Sequence, residues 1–361
     1  MEGTHRVNNV DHVAEVGRIA PGRGDYQAAY PCIERLSDGR LLCVYAAYAD
    51  SKCEHVVIKG VFSTDNGKSW GEAVTLINTH PHLDYDPAIV VMGRTILVTS
   101  TTVPPTHAQF ISTSKTMAVR SDDNGQSWSG AYEIPMPYRY TSGKINKGLY
   151  LPDGTALFGY SWDVRLQKEQ KLDTEGDEVV IVGLMVSKDN GKTWSKGTEL
   201  TTHVEKHASA RHAISGMDEP AFVVCPDGSL YMLARTGRDH LYESRSTDGG
   251  RTWSEPTPSL LESHNSPASL CAFGGDRPGI LAVWNNSRTD RWPLCAAVSF
   301  DKGRSWSRPY VLSHTPGQQA SYPDCVQAAD GMFVIVWQQD HADGPRTIDL
   351  ARIELKHLLE W

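Results

Sequence analysis

At 361 residues, with 40% apolar residues and a formal net charge of −8, the chain is long enough for one large or two smaller folding units. The acidic balance and dispersed Arg and Lys argue against a nucleic-acid surface, and nothing approaches a membrane-spanning apolar run. The first twenty residues lack a basic start and an apolar core, and the seven cysteines are an odd, scattered set without metal-ligand spacing. Free buried thiols, a cytoplasmic location unless a leader has been removed, and no metal or cofactor are therefore expected.

An alternating run at 12–20 opens the chain, and a strand-like hairpin then starts near Tyr30 and turns at Asp38-Gly39. The first of five related phrases follows, STDNGKSW at 63–70. Further hairpins start near Asp86, Ile145, Glu219 and Ser266, and each is followed by another copy: SDDNGQSW at 121–128, SKDNGKTW at 187–194, STDGGRTW at 246–253 and SFDKGRSW at 299–306. In this Ser-x-Asp-x-Gly-x-[Ser/Thr]-Trp skeleton the Asp carboxylate accepts backbone N–H bonds, Gly takes positive φ, and Trp pins the turn to the body. Five equivalent copies indicate turn formers rather than catalysts.

A sixth hairpin starts near Tyr322 and turns at Asp330-Gly331; RTIDLARIEL then supplies one more strand without a box. Units of 53 to 66 residues, each reading as four antiparallel strands, predict an all-β, six-bladed β-propeller. It is expected to occupy 1–361 as a single domain, with 12–20 completing the last blade and closing the ring.

In a propeller, the starts of inner strands and the ends of second strands converge on one mouth of the central channel. Around the ring these positions are Tyr30, Tyr48 and Asp50; His80, His82, Asp84 and Asp86; Lys144, Lys147, Asp163 and Arg165; His212, Asp218, Glu219, Arg235 and Arg238; His264, Asn265, Asn285, Asn286, Arg288 and Arg291; Tyr322, Asp324, Gln338 and Asp340.

The boxes resemble the Asp-box repeats of the sialidase (neuraminidase) superfamily, from about Tyr30 to the C-terminus. GMDEPAFVVCPDGSLYMLAR resembles the family stretch in which a Glu and, some sixteen residues on, an Arg face the site; Glu219 and Arg235 hold those places. ASYPDCVQAADG resembles the segment with the catalytic Tyr, matched by Tyr322, while Arg288 or Arg291 matches a further site Arg. Asp50 matches the acid/base Asp by position alone. The resemblance implies a Tyr322/Glu219 nucleophile pair, Asp50 as acid/base, and substrate contacts from Arg235, Arg288 and Arg291; by their places around the mouth, Asp86, His82, His212 and Lys144 are expected to add further substrate contacts. Blade one departs from the pattern: where the family has an aromatic-Arg-Ile-Pro phrase, this chain reads AAYPCIERL, with Arg35 out of phase.

The leading expectation is an exo-glycosidase acting on a terminal acidic sugar, with a carbohydrate partner and neither nucleic acid nor membrane. Two others stand beside it: a polysaccharide lyase using the His set, Tyr30, Lys144 and Arg235 against a uronate, and a sugar-binding propeller without activity.

Overall fold

The computed structural model describes residues 15–20, 25–105, 114–138, 141, 146–163, 179–202 and 215–359. Their 24 strands, numbered β1 to β24 in chain order, form six four-stranded antiparallel blades. The innermost strands are Gln27–Arg35, Leu83–Met92, Leu149–Tyr150, Ser215–Val224, Ser269–Phe273 and Ala320–Gln327. A short parallel pairing of Val179 and Val180 with Ser215 and Gly216 joins the edges of blades three and four.

Second strands such as Leu41–Tyr48, Thr95–Val103, Leu230–Thr236 and Gly279–Asn285 are buried along their whole length. A strand covered on both faces reads as a continuous apolar run rather than an alternation. The apolar packing accordingly lies between blades. Leu41, Cys43 and Tyr45 of blade one, for example, pack with Val334, Val336 and Ile348 of blade six.

The ring closes as expected. β1 (Glu15–Ala20) pairs antiparallel with β24 (Gly344–Ile353), which follows β23 (Phe333–His341) and β22 (Ala320–Gln327) in one sheet. Residues 12–14 of the expected closing strand lie outside the described residues.

Each box is a bottom-face turn whose carboxylate is used internally. Asp65 Oδ1 accepts from Ser63 Oγ at 2.8 Å and Ser69 N at 2.9 Å, and Oδ2 accepts from Ser69 Oγ at 2.6 Å. Asp123, Asp189, Asp248 and Asp301 repeat the pattern. These bonds to the ionised form hold Asp65 and Asp248 near 2. The boxes also fasten blade to blade. Arg40, Arg120, Arg245 and Arg352 each donate from the preceding blade to a box carbonyl, on Asn124, Asn190, Lys302 and Asn66 respectively. Gly125, at φ 81°, lies so close to the neighbouring blade that an added Cβ would stand 2.9 Å from Phe62. The Trp indoles behave unequally: Trp194 and Trp253 donate to Gly191 and Gly250 carbonyls, whereas the Trp70 and Trp306 N–H groups find no partner among the described residues.

Candidate active site

The upper mouth is built by one backbone device used repeatedly. Tyr30, Asp86, Glu219 and Tyr322 have φ between 47° and 53°, each where the register of an innermost strand slips against its neighbour. Asn265, just before the innermost strand of blade five, has φ 43°. Left-handed backbone costs a non-glycine residue roughly 1–2 kcal/mol, so a ring of such positions is held by its surroundings. Pro31, Pro87, Pro220 and Pro323 follow four of them. With no N–H to donate, proline is tolerated where the ladder is broken, and the bulge re-aims the preceding side chain.

Three apices meet around one ion pair. Arg235 Nη1 binds Glu219 Oε2 at 2.7 Å, and the Tyr322 hydroxyl lies 3.4 Å from Glu219 Oε1. Asn265 serves two cations: its side-chain oxygen accepts from Arg235 Nε at 2.9 Å and its carbonyl from Arg291 Nη2 at 2.7 Å. The Arg291 guanidinium stands 5.4 Å from the centre of the Tyr322 ring. Burial and the Glu219 charge raise the Tyr322 hydroxyl above its ordinary value, while Arg291 and Arg235 pull it back. Burial, with the neighbouring Glu219 charge, pushes Asp218 up to about 6, and its Oδ1 accepts the Glu219 N–H at 2.8 Å. A cavity of about 360 Å³ opens beside this group, bordered by Arg235, His264, Asn265, Arg291, Trp292 and Gln319.

Blade one contributes tyrosines. The Tyr30 ring meets Tyr322 edge-on at 4.8 Å and Tyr85 at 6.4 Å, and Tyr85 lies 6.0 Å from Tyr48. Burial raises the Tyr30 hydroxyl well above its ordinary value; Tyr48, Tyr322 and Asp86 add to this and Arg346 opposes it. Tyr30 thus occupies the blade-one apex, and Arg35 lies at the far end of the same strand. There it borders a cavity of about 670 Å³ at the opposite mouth, away from Tyr322 and Glu219.

The family model described as BNR repeat-like domain matches residues 39–335. The chain belongs to the sialidase/BNR-repeat β-propeller superfamily. It is 22% identical over 290 residues to a sialidase of Paraclostridium sordellii, covering 72% of this chain and 67% of that protein. Among solved structures, a Hadza microbial sialidase superposes with a TM-score of 0.75 at 18% identity, covering 95% of this chain and 68% of that one. The intramolecular trans-sialidase of Ruminococcus gnavus gives 0.74 at 15% identity, covering 95% and 98%. At these identities the superpositions show a shared fold.

Within that fold, the expected site residues separate. Tyr322, Glu219, Arg235 and Arg291 come together, and Asp86 acts electrostatically on Tyr30 and Tyr48 of blade one and on Tyr85 of its own blade two. Arg288 does not join them: it forms an exposed pair with Glu262. Asp50 acts electrostatically on Tyr85, but its Oδ1 accepts the Lys52 and Glu54 N–H groups at 2.8 and 3.1 Å. Those backbone bonds lower its pKa, the reverse of the raised value an acid catalyst needs. His82 acts on buried Asp84, which holds the 78–82 loop through Thr79 and Thr102. Lys144 and His212 lie outside the described residues, as do His107, His203, His207 and Arg165.

Lys147 and Asp324 prove to be a buried plug beneath the site. Lys147 Nζ lies 3.0 Å from Asp324 Oδ1 and also donates to the Ile33 and Cys325 carbonyls. Asp324 further accepts from Ile33 N and Ser269 Oγ. Among the described residues no three His, Cys, Asp or Glu side chains gather as a cation site. No helix there is long and apolar enough to cross a membrane.

Proposed function

We propose that the chain is a sialidase-like exo-glycosidase that hydrolyses a terminal acidic sugar, with Tyr322 as nucleophile and Glu219 as its base. One observation carries this reading: the Tyr322 hydroxyl rests 3.4 Å from a carboxylate oxygen whose partner oxygen is held by Arg235. Catalytic hydrogen bonds of this length in a ligand-free site shorten when substrate is bound. Relatives named as sialidases support the same chemistry.

A buried tyrosine with a raised pKa is a weak nucleophile until its proton has somewhere to go, and Glu219 provides that acceptor. In the first step the Tyr322 oxygen bonds to the anomeric carbon as the bond to the leaving oxygen breaks. The phenol proton passes to Glu219, and the leaving oxygen takes a proton from the blade-one side. Water then attacks the anomeric carbon and gives a proton to the blade-one group that had lost one, the bond to the Tyr322 oxygen breaks, and Glu219 returns the phenol proton. A neutral attacker suits a reacting carbon beside a carboxylate, which Arg235 and Arg291 receive. Asp50 donates only after releasing its backbone N–H groups, so movement of its loop on substrate binding is part of this reading.

A panel of terminal acidic glycosides, with the products resolved by mass spectrometry, tests the proposal. Release of the terminal sugar with gain of one water supports hydrolysis. An unsaturated product without added water indicates a lyase, and saturable binding with no product indicates a non-catalytic receptor.

A further inference from the structure

We infer that the substrate carries a second anionic substituent, received by Arg346 on the blade-one side of the Tyr30–Tyr322 pair. This rests on the proposed acidic-sugar hydrolysis and narrows its substrate class. Arg346 stands on β24 near the hairpin from β23, where Gln339 pairs with Thr347 and His341 with Gly344. The innermost strand of blade one packs against both of these strands, and Gln338 accepts the Tyr30 N–H at 3.4 Å.

Arg346 Nε donates to Asp340 Oδ1 at 2.8 Å. Among the described residues no protein acceptor meets its two terminal nitrogens, so most of the donor fork is unused. The side chain is 27% exposed, which leaves it within reach of a ligand. A fork of this kind binds a sulfate or carboxylate in two parallel hydrogen bonds.

Position separates this cation from the pair already described. Tyr322 feels the charges of Arg291 and Arg235, whereas Tyr30 and Tyr48 feel that of Arg346. The Arg291 guanidinium stands 5.4 Å from the centre of the Tyr322 ring, whereas Tyr30, 4.8 Å from Tyr322, belongs to the strand against which β24 packs. A carboxylate held by Arg235 and Arg291 therefore leaves Arg346 to meet a different group across the sugar ring. An O-sulfate and a carboxylate share the required chemistry.

The test compares an aryl sialoside with its mono-O-sulfated and mono-O-carboxymethylated forms. The expected result is a preference of about tenfold in kcat/KM for one or both doubly charged forms, equal to about 1.4 kcal/mol. Arg346→Met brings that ratio close to one, Arg346→Lys leaves an intermediate value, and Asp340→Asn raises it by freeing the guanidinium. A wild-type ratio at or below one, or a ratio that Arg346→Met does not move, overturns the inference. Should Arg346→Met fail to fold, the opposite shifts of the Lys and Asp340→Asn variants decide the matter. If none of the glycosides is turned over, the proposed hydrolysis fails. Calorimetry with the free sugar acids, with and without the second anion, then reads the same ratio in Kd and supports or overturns the role of Arg346 alone.

Discussion

Replacing Lys147 with Met is the sharpest probe of how the blades are held together. The Lys147 side chain is 7% exposed and that of Asp324 is fully buried, at 3.0 Å, with Glu34 4.0 Å from the ammonium. Burial alone would lower the Lys147 pKa, but Asp324 and Glu34 outweigh it and hold the pKa well above the ordinary value. Methionine fills similar space without charge, so Asp324 loses its counter-ion while staying buried. Breaking a buried pair from one side costs about 3–5 kcal/mol. With an unfolding entropy of about 2.1 cal/mol/K per residue, a chain of 361 residues loses about 4–7 °C of Tm. The pH dependence has a definite sign. The folded state holds the Lys147 proton more tightly than the unfolded chain does, so the wild type's margin over the variant is full below the ordinary lysine range and shrinks as pH rises above it. Thermal unfolding followed by circular dichroism between pH 7 and 11 measures both effects. Lys147→Met/Asp324→Asn, with neither charge, is expected to recover most of the lost Tm. A single variant within 1 °C of wild type across that range would refute the plug as an electrostatic tie.

The remaining expectations concern the site and the ring. Asp218, at about 6, binds its proton more tightly folded than unfolded, so its contribution to stability falls as pH rises from about 4 to about 6. Asp218→Asn removes that slope, and the difference in unfolding free energy from wild type grows over the same interval. Asn265→Gly keeps the positive-φ backbone but deletes the acceptor for Arg235 Nε. A hydrogen bond to a charged group is worth about 1.5–3 kcal/mol, so KM on a turned-over acidic glycoside rises about tenfold or more, with kcat less affected. Arg352, with a side chain 2% exposed, joins Asp330 of blade six to the Asn66 carbonyl of blade one. Arg352→Met should lower Tm by several degrees and raise amide exchange first in β1 and β24, read by mass spectrometry.

Blade register was legible because it is written in local chemistry. Asp-x-Gly boxes and Asp-Gly turns need only their immediate neighbours to form, and the short last unit pointed to closure by the N-terminal strand. Glu219, Arg235 and Tyr322 could be placed for the same reason, since they sit at fixed offsets from such turns. Tyr30 was harder to read. Matching by residue type looks for an Arg in blade one, whereas the recurring signal is an apex residue before proline, as in Ala-Tyr-Pro, Tyr-Asp-Pro, Asp-Glu-Pro and Ser-Tyr-Pro. Lys147 resembled a site lysine because its neutralising partner lies 177 residues away. Arg346 was invisible, since only ring closure brings β24 against blade one. Asp50 carried a readable warning: an Asp beginning a tight loop accepts its own backbone N–H groups.

The proposed hydrolysis stands on attack by Tyr322 on the sugar with Glu219 taking its proton. The most direct measurement is single-turnover kinetics of wild type and Tyr322→Phe on a turned-over acidic glycoside, with acid quench and peptide mapping. A transient sugar adduct on the Tyr322 peptide is expected in the wild type. In Tyr322→Phe the adduct is absent and the rate of sugar release falls at least a hundredfold, about 2.7 kcal/mol of barrier. Near-wild-type turnover by Tyr322→Phe, or an adduct on another residue, would contradict it.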